Sequence, residues 1–304
     1  MHCPASYYSF KQGLVVCIHS QSKEQFEQAW EQRAEHETLY LHWTRGAPKT
    51  QIQLAFRQHW LLFQELIGQS PVRGKRCIEL GAGRGTISMY FADAGWDCTL
   101  LDTSKTALAQ AKKAFSQFGL PATYLVGDAV GTNLPDESYD VCVSIGLMEH
   151  IPELEKALAE QVRLLSPGGL LLAYVVPDKK AKVQAQQEWV NDILASYYQL
   201  LMQQETIAPQ TKPEIYRSNT GISVYLEILK DLPLTAIHGA GVYPLPMLSP
   251  STTFPFTLNP PEAEERLVHY FTQLLAERRL RFGHNPWWCE EEYGQAFLIS
   301  AVKI

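Results

Sequence analysis

Apolar residues recur along this chain with two different periods, and the switch between them divides it. Over 50–68, TQIQLAFRQHWLLFQELIG, Ile52, Phe56, Trp60 and Phe63 fall at helical spacing among polar residues. This predicts an amphipathic helix with Gly68 at its stop. Earlier, KEQFEQAWEQRAEHETLYLHW spaces Phe26, Trp30 and Leu39 in the same way among glutamates and glutamines. From residue 76 the rhythm changes to short continuous apolar runs. RCIEL, DCTLLD, ATYLVGD, YDVCVSIG and LLLAYVV read as five strands. Three helix-patterned stretches separate them. TISMYFADAG is stopped by Gly95, SKTALAQAKKAFSQFG is capped by Ser104 and stopped by Gly119, and ELEKALAEQVRLLS is ended by Pro-Gly-Gly. Strands alternating with helices of these lengths make βαβ units, hence an α/β domain with a doubly wound, mostly parallel sheet.

After Pro177 the alternation stops. A long helix or helix pair is expected in KKAKVQAQQEWVNDILASYYQLLMQQE and another helix in GISVYLEILKDL. TAIHGAGVY reads as a sixth strand, EAEERLVHYFTQLLAERRLRFG as a helix after a proline-rich loop, and QAFLISAVKI as a seventh strand. The expected organisation is one domain with a helical cap. Its α/β core spans 70–177 and is completed by strands in 232–243 and 291–304. Residues 1–69, 178–231 and 244–290 are the additions that form the cap.

Composition narrows the partners. The chain has 304 residues, 46% of them hydrophobic, and a formal charge of −6 with lysines and arginines scattered. A tracker of nucleic-acid backbone carries a basic excess or stripe, so nucleic acid is not an expected partner. Cys3, Cys17, Cys77, Cys98, Cys142 and Cys289 form no CxxC pair, so neither a metal site nor a disulfide framework is expected. The apolar GLVVCIHS at 13–20 is too short to span a bilayer and lacks the flanks of a signal peptide. A cytoplasmic protein without a membrane partner is the expectation.

The chemistry is concentrated around CIELGAGRG, 77–85. A dinucleotide fingerprint requires GxGxxG, but the third glycine here is Gly85, one place early, and Thr86 stands where it is required. A phosphate loop requires a lysine after the turn, and none follows. What remains is a tight turn of Gly81, Gly83 and Gly85 that brings backbone close to a ligand at a helix start. Glu79 precedes it, Asp102 ends the second strand, and Asp128 ends the third. Three carboxylates at strand ends repel a pyrophosphate and suit a ligand with a ribose, an exocyclic amine and a cationic end.

CIELGAGRGTIS, LLDTS, VGDAV, YDVCVSIGLMEHI and RLLSPGGLLLAYV resemble, in order and spacing, the successive motifs of class I S-adenosylmethionine-dependent methyltransferases. The resemblance covers about residues 70–177. It implies a seven-stranded, Rossmann-like sheet whose last strand is antiparallel, with S-adenosylmethionine as cofactor. It also implies that Gly81, Gly83 and Gly85 wrap the methionine part and Glu79 supports its ammonium. Asp102 would bind the ribose hydroxyls with Thr103 beside it. Asp128 would accept from the adenine amine, the N–H of Ala129 would reach the ring, and Ile145 and Gly146 would pass under the sulfonium.

His150, in GLMEHI after the fourth strand, is the candidate general base, and Glu149 a group that orients it or attracts an amine. A Glu-His pair at this place also resembles one that is structural in other members. Trp43, Tyr216, Arg217, His284, Trp287 and Tyr293 come from the cap segments and are candidates to line an acceptor pocket, with Tyr40, His42, Arg45 and Trp288 beside them. The expected function is methyl transfer to an oxygen or nitrogen of a small molecule, by a monomer or homodimer. Protein or nucleic-acid methylation and an inactive binding protein are the alternatives. The motif Asn259-Pro-Pro is followed by Glu262 and lies outside the fourth strand, so it does not support nucleic-acid amino methylation.

Overall fold

The computed structural model describes residues 23–31, 41–178, 189–194, 196, 215–242, 248, 258–282, 288–290, 294 and 296–304. Residues 23–31 are helical. Helix α1, Gln51–Gln69, starts at an N-cap Thr50 whose side chain accepts from the Gln53 N–H. It runs one residue past the glycine expected to stop it. The Ser70 N–H and hydroxyl close the helix on the Ile67 carbonyl instead, so no left-handed residue is needed.

The core elements follow the predicted alternation. They are β1 (Arg76–Leu80), α2 (Thr86–Asp93), β2 (Asp97–Asp102), α3 (Lys105–Gln117), β3 (Thr123–Val126), β4 (Tyr139–Ile145), α4 (Leu154–Leu164) and β5 (Leu165–Val175). Strand β5 begins where a helix end was expected. Its register jumps from Tyr139↔Leu165 to Val141↔Leu170, leaving Ser166–Gly169 as a bulge. Pro167 has no N–H to donate and Gly168 takes a φ of 77°, which suits that irregularity. Then come α5 (Ile222–Lys230), β6 (Leu234–Val242), α6 (Pro261–Phe282), β7 (Trp288–Cys289) and β8 (Ala296–Lys303). In the long helical stretch expected after Pro177, the described residues 189–194 and 196 are helical.

The sheet has eight strands in the order β3-β2-β1-β4-β5-β8-β6-β7, one more than expected. The extra strand is the two-residue β7, which pairs with Gly241 and Val242 at the edge. At Gly241 a side chain would meet the Glu290 carbonyl at 2.6 Å, so glycine is what allows this approach. The first five strands are parallel, and the expected antiparallel strand is β8, inserted between β5 and β6.

Alternate residues of each strand enter two cores. Val141, Val143, Leu170, Leu172 and Leu298 pack with α1, α2, α3 and α6 on one face. Ile78, Leu80, Cys142, Leu171, Ala173 and Ile299 pack with α4 and α5 on the other. This period of two on a sheet covered on both faces is why the strands read as unbroken apolar runs. The chain winds one way from β1 to β3 and the other way from β4. The carboxyl ends of the neighbours β1 and β4 therefore flank a crevice, where such sheets place ligands. The described cysteines Cys77, Cys98 and Cys142 are free thiols buried in the core.

Candidate functional site

The loop after β1 is built on three glycines with positive φ: 64° at Gly81, 52° at Gly83 and 66° at Gly85. A side chain at Gly81 would meet Leu147 at 2.6 Å, and one at Gly85 would meet Leu100 at 2.3 Å. Each position therefore excludes larger residues by backbone conformation, and these two by space as well. Gly85 is the N-cap of α2, so the third glycine sits where helix and β2 touch.

The acids stand around this cradle. Glu79, 4% exposed, accepts from the Ser88 N–H at 3.1 Å and the Ser88 hydroxyl at 2.5 Å. Burial pushes its carboxyl up to about 8 against those two bonds, and the nearby Asp102 adds to the rise. Asp102 ends β2. It accepts from the Gly83 N–H at 2.8 Å through Oδ2 and from the Ser104 N–H at 2.8 Å through Oδ1. Burial raises its pKa, the Ser104, Gly83 and Thr103 N–H groups oppose the rise, and the carboxylate of Glu27 adds to it. Asp128 accepts from the Val130 N–H at 3.1 Å through Oδ1 and pairs through Oδ2 with Lys23. Ala129 is buried beside it.

On the other side of the crevice, β4 ends at Ile145, which pairs with Tyr174 of β5. Gly146, φ 64°, donates its N–H to the Tyr174 carbonyl at 2.9 Å. A short 3-10 turn, Met148–His150, then presents Glu149 and His150. Glu149 is 1% exposed, and neither carboxylate oxygen makes a well-formed hydrogen bond among the described residues. Burial pushes its pKa up to about 7, opposed by its own and the Val176 N–H and by the charge of Arg217. The His150 ring lies 2.6 Å through Nδ1 from the Tyr216 carbonyl and 3.9 Å through Nε2 from Glu149 Oε1. A carbonyl only accepts, so Nδ1 carries the proton and Nε2 keeps its lone pair. Burial drives the His150 pKa down to about 4, so the ring is neutral at pH 7.

The structure brings Glu79, Gly81, Gly83, Gly85, Asp102, Thr103, Asp128, Ala129, Ile145, Gly146, Glu149 and His150 to one edge of the sheet. Tyr216 reaches this edge by its carbonyl, and exposed Arg217 by its charge. Trp43 is elsewhere. It is 2% exposed and sits in the core, edge-on to Phe118 and Tyr90, because its apolar ring is buried better there than at a solvent edge. Tyr40, His284, Trp287 and Tyr293 lie outside the described residues.

Three contributions escaped the sequence pattern. Lys23, Phe26, Glu27 and Trp30, spaced as one helical face, all land on this edge. Lys23 meets Asp128, Phe26 packs edge-on to His150 at 5.0 Å, Glu27 accepts from Thr106, and Trp30 lies under Arg84 and against Gly83. The spacing of Phe26 and Trp30 predicted the helix, but it carried no sign that this face, with Lys23 and Glu27, would meet the donor-binding acids. His59 of α1, with its ring 4.5 Å from that of Tyr174, was hidden inside an apolar stripe that is otherwise core. Burial lowers the His59 pKa to about 4. Backbone carbonyls such as that of Tyr216 carry no sequence signature at all.

A parallel sheet reversing direction at β1 and β4, an antiparallel strand inserted beside β5, and a glycine cradle ringed by carboxylates define a class I S-adenosylmethionine-dependent methyltransferase fold. Residues 78–173 match the model of the methyltransferase domain family. Over 112 residues it is 37% identical to a demethylmenaquinone methyltransferase of Renibacterium salmoninarum, covering 36% of this chain and 44% of the relative. Over 102 residues it is 29% identical to a ubiquinone biosynthesis O-methyltransferase of Paramagnetospirillum magneticum, covering 34% and 41%. The match thus spans less than half of each relative. The solved YcgJ protein of Bacillus subtilis superimposes with a TM-score of 0.48 at 18% identity, over 81% of this chain and 98% of that one, a likeness too slight to argue from. No described helix is long and apolar enough to cross a membrane, and no cluster of metal-ligating side chains occurs among the described residues.

Proposed function

We propose that this protein is an S-adenosylmethionine-dependent methyltransferase that methylates an oxygen or nitrogen atom of a small molecule. The observation carrying this reading is the pairing of a donor cradle with a neutral histidine across one crevice. The residues fit the donor. Gly81, Gly83 and Gly85 give the loop the left-handed turns that bring its backbone up to the methionine part, and Glu79 offers a buried carboxyl to its ammonium. Asp102 would take the ribose hydroxyls with Thr103 alongside, and Asp128 the adenine amine with the N–H of Ala129 on the ring. When bound, the sulfonium supplies an activated methyl group.

The chain's own task is to align the acceptor, exclude water and remove a proton where the acceptor carries one. His150 is suited to the last step, since Nε2 holds a lone pair while the Tyr216 carbonyl fixes the ring. Glu149 beside it would orient the imidazole or attract a cationic acceptor. Phe26 and Tyr216, which touch His150, and Arg217, His59 and Tyr174 are the candidates to wall the acceptor. Both relatives named above carry quinone names, which supports a small-molecule acceptor, and the second is named an O-methyltransferase, which supports oxygen as the acceptor atom. The core-and-cap division, with 70–177 as donor domain, is part of this reading.

Two measurements test it together. Calorimetry with S-adenosylhomocysteine should show one site per chain, and transfer of labelled methyl should follow when phenols, hydroxyl compounds and amines are offered. No donor affinity would leave a methyltransferase-like binding protein. His150→Ala should lower turnover about 10²–10⁴-fold while changing donor affinity little. An unchanged rate would remove His150 from the mechanism.

A further inference from the structure

The helical residues 23–31 make every one of their long-range side-chain contacts described above on the donor edge of the sheet. Lys23 is the telling one. Asp128 has two carboxylate oxygens, and Oδ1 is held by the Val130 N–H of its own loop. The other, Oδ2, is taken by the Lys23 ammonium. The pair is partly buried, with the two side chains 36% and 25% exposed. Four residues on, Glu27 Oε1 accepts from the Thr106 hydroxyl at 2.9 Å, while its Oε2 is buried without a partner among the described residues. Trp30 completes the face by lying 3.1 Å from where a side chain at Gly83 would begin. The segment thus presents a cation to one donor-binding acid, an anion near the other and a ring to the glycine cradle.

Resting on the donor assignment above, we infer that Lys23 is an intramolecular competitor of the donor, holding Asp128 until the adenine amine takes its place. A primary ammonium and an exocyclic amine are both N–H donors seeking the same oxygen. An ammonium brings a full charge, so the pair forms readily in the empty protein. Binding must therefore break an ion pair, and the apparent donor affinity is the intrinsic affinity multiplied by the fraction of molecules in which Lys23 has released Asp128. The same contact gives the empty site a defence, since this acid is neutralised rather than left to attract other cations. Phe26, on the same helical face, touches His150, so release of Lys23 also loosens a contact on the candidate base.

The test uses the full chain and S-adenosylhomocysteine as probe, in calorimetry at moderate ionic strength. Lys23→Met keeps the length and the apolar stem, and should bind the probe about 1.4- to fivefold more tightly than the wild type, the range expected for removing a partly exposed ion pair. Lys23→Arg restores a cation and should return to wild-type affinity. Unchanged or weaker binding by Lys23→Met would overturn the inference, as would equal tightening by Lys23→Arg. Absence of probe binding to the wild type is a separate outcome and would strike the donor assignment itself.

Discussion

Glu79 shows how far a single side chain's environment can run against its own chemistry. Its carboxyl is buried at the foot of the glycine loop, and among the described residues it is Ser88 that offsets the loss of water. Its pKa stands at about 8, above the ordinary value near 4.5. Between those two values the folded protein binds a proton that the unfolded chain releases. Stability therefore falls as pH rises from about 4.5 through about 8, and the whole penalty is present above that. The histidines act in the opposite sense. His59 and His150, held down to about 4, cost stability only as pH drops below about 6.5. Glu79→Gln keeps an oxygen to accept from Ser88 and cannot ionise. It should flatten the loss of stability between pH 6 and pH 9 seen in urea denaturation of the wild type. An equal slope in both proteins would show that Glu79 is not its source. The identity of Glu79 was legible in the chain, as an acid before a glycine turn. Its pKa was not, because desolvation is set by residues from other elements.

Helix α1 is bound to α6 by one buried carboxylate. Glu264, 2% exposed, accepts from the Gln51 N–H at 2.8 Å and the Gln51 side-chain amide at 3.1 Å. It also accepts from the Asn259 N–H at 3.1 Å and the Asn259 amide at 2.9 Å. An anion at the first residue of α1 also meets the positive end of that helix. Glu264→Ala would leave four donors short of an acceptor. It should cost about 2–4 kcal/mol, with Glu264→Gln costing less because an oxygen remains. Chemical denaturation of the three proteins would check the order. The amphipathic period predicted both helices, and a residue or two at their ends was all that differed. It did not predict their junction, since residues 51 and 264 are joined by hydrogen bonds that leave no periodic trace. The face carrying Lys23, Phe26, Glu27 and Trp30 is the same case on a smaller helix.

At the scale of the whole molecule, β8 holds the sheet together. All eight of its residues are buried, and it pairs with β5 on one side and β6 on the other. Removing residues 296–304 would expose both neighbours' edges and open both cores, where Phe297, Leu298 and Ile299 reside. The truncated chain should show no cooperative unfolding transition, and a normal one would mean that the rest of the sheet stands alone. The alternation of strands and helices and the glycine-acid motif are local in sequence. Periodicity and turn chemistry therefore determined the fold class from the sequence by itself, and the glycine turn with Glu79, Asp102 and Asp128 was legible there, while the donor roles of these residues came from the resemblance. Only the tertiary structure decided that Trp43 belongs to the core, that a backbone carbonyl fixes the His150 tautomer, and that Lys23 sits on Asp128. The reason is that burial, hydrogen-bond partners and ion pairs are properties of residues brought together from distant parts of the chain. No window of sequence contains both members of such a pair.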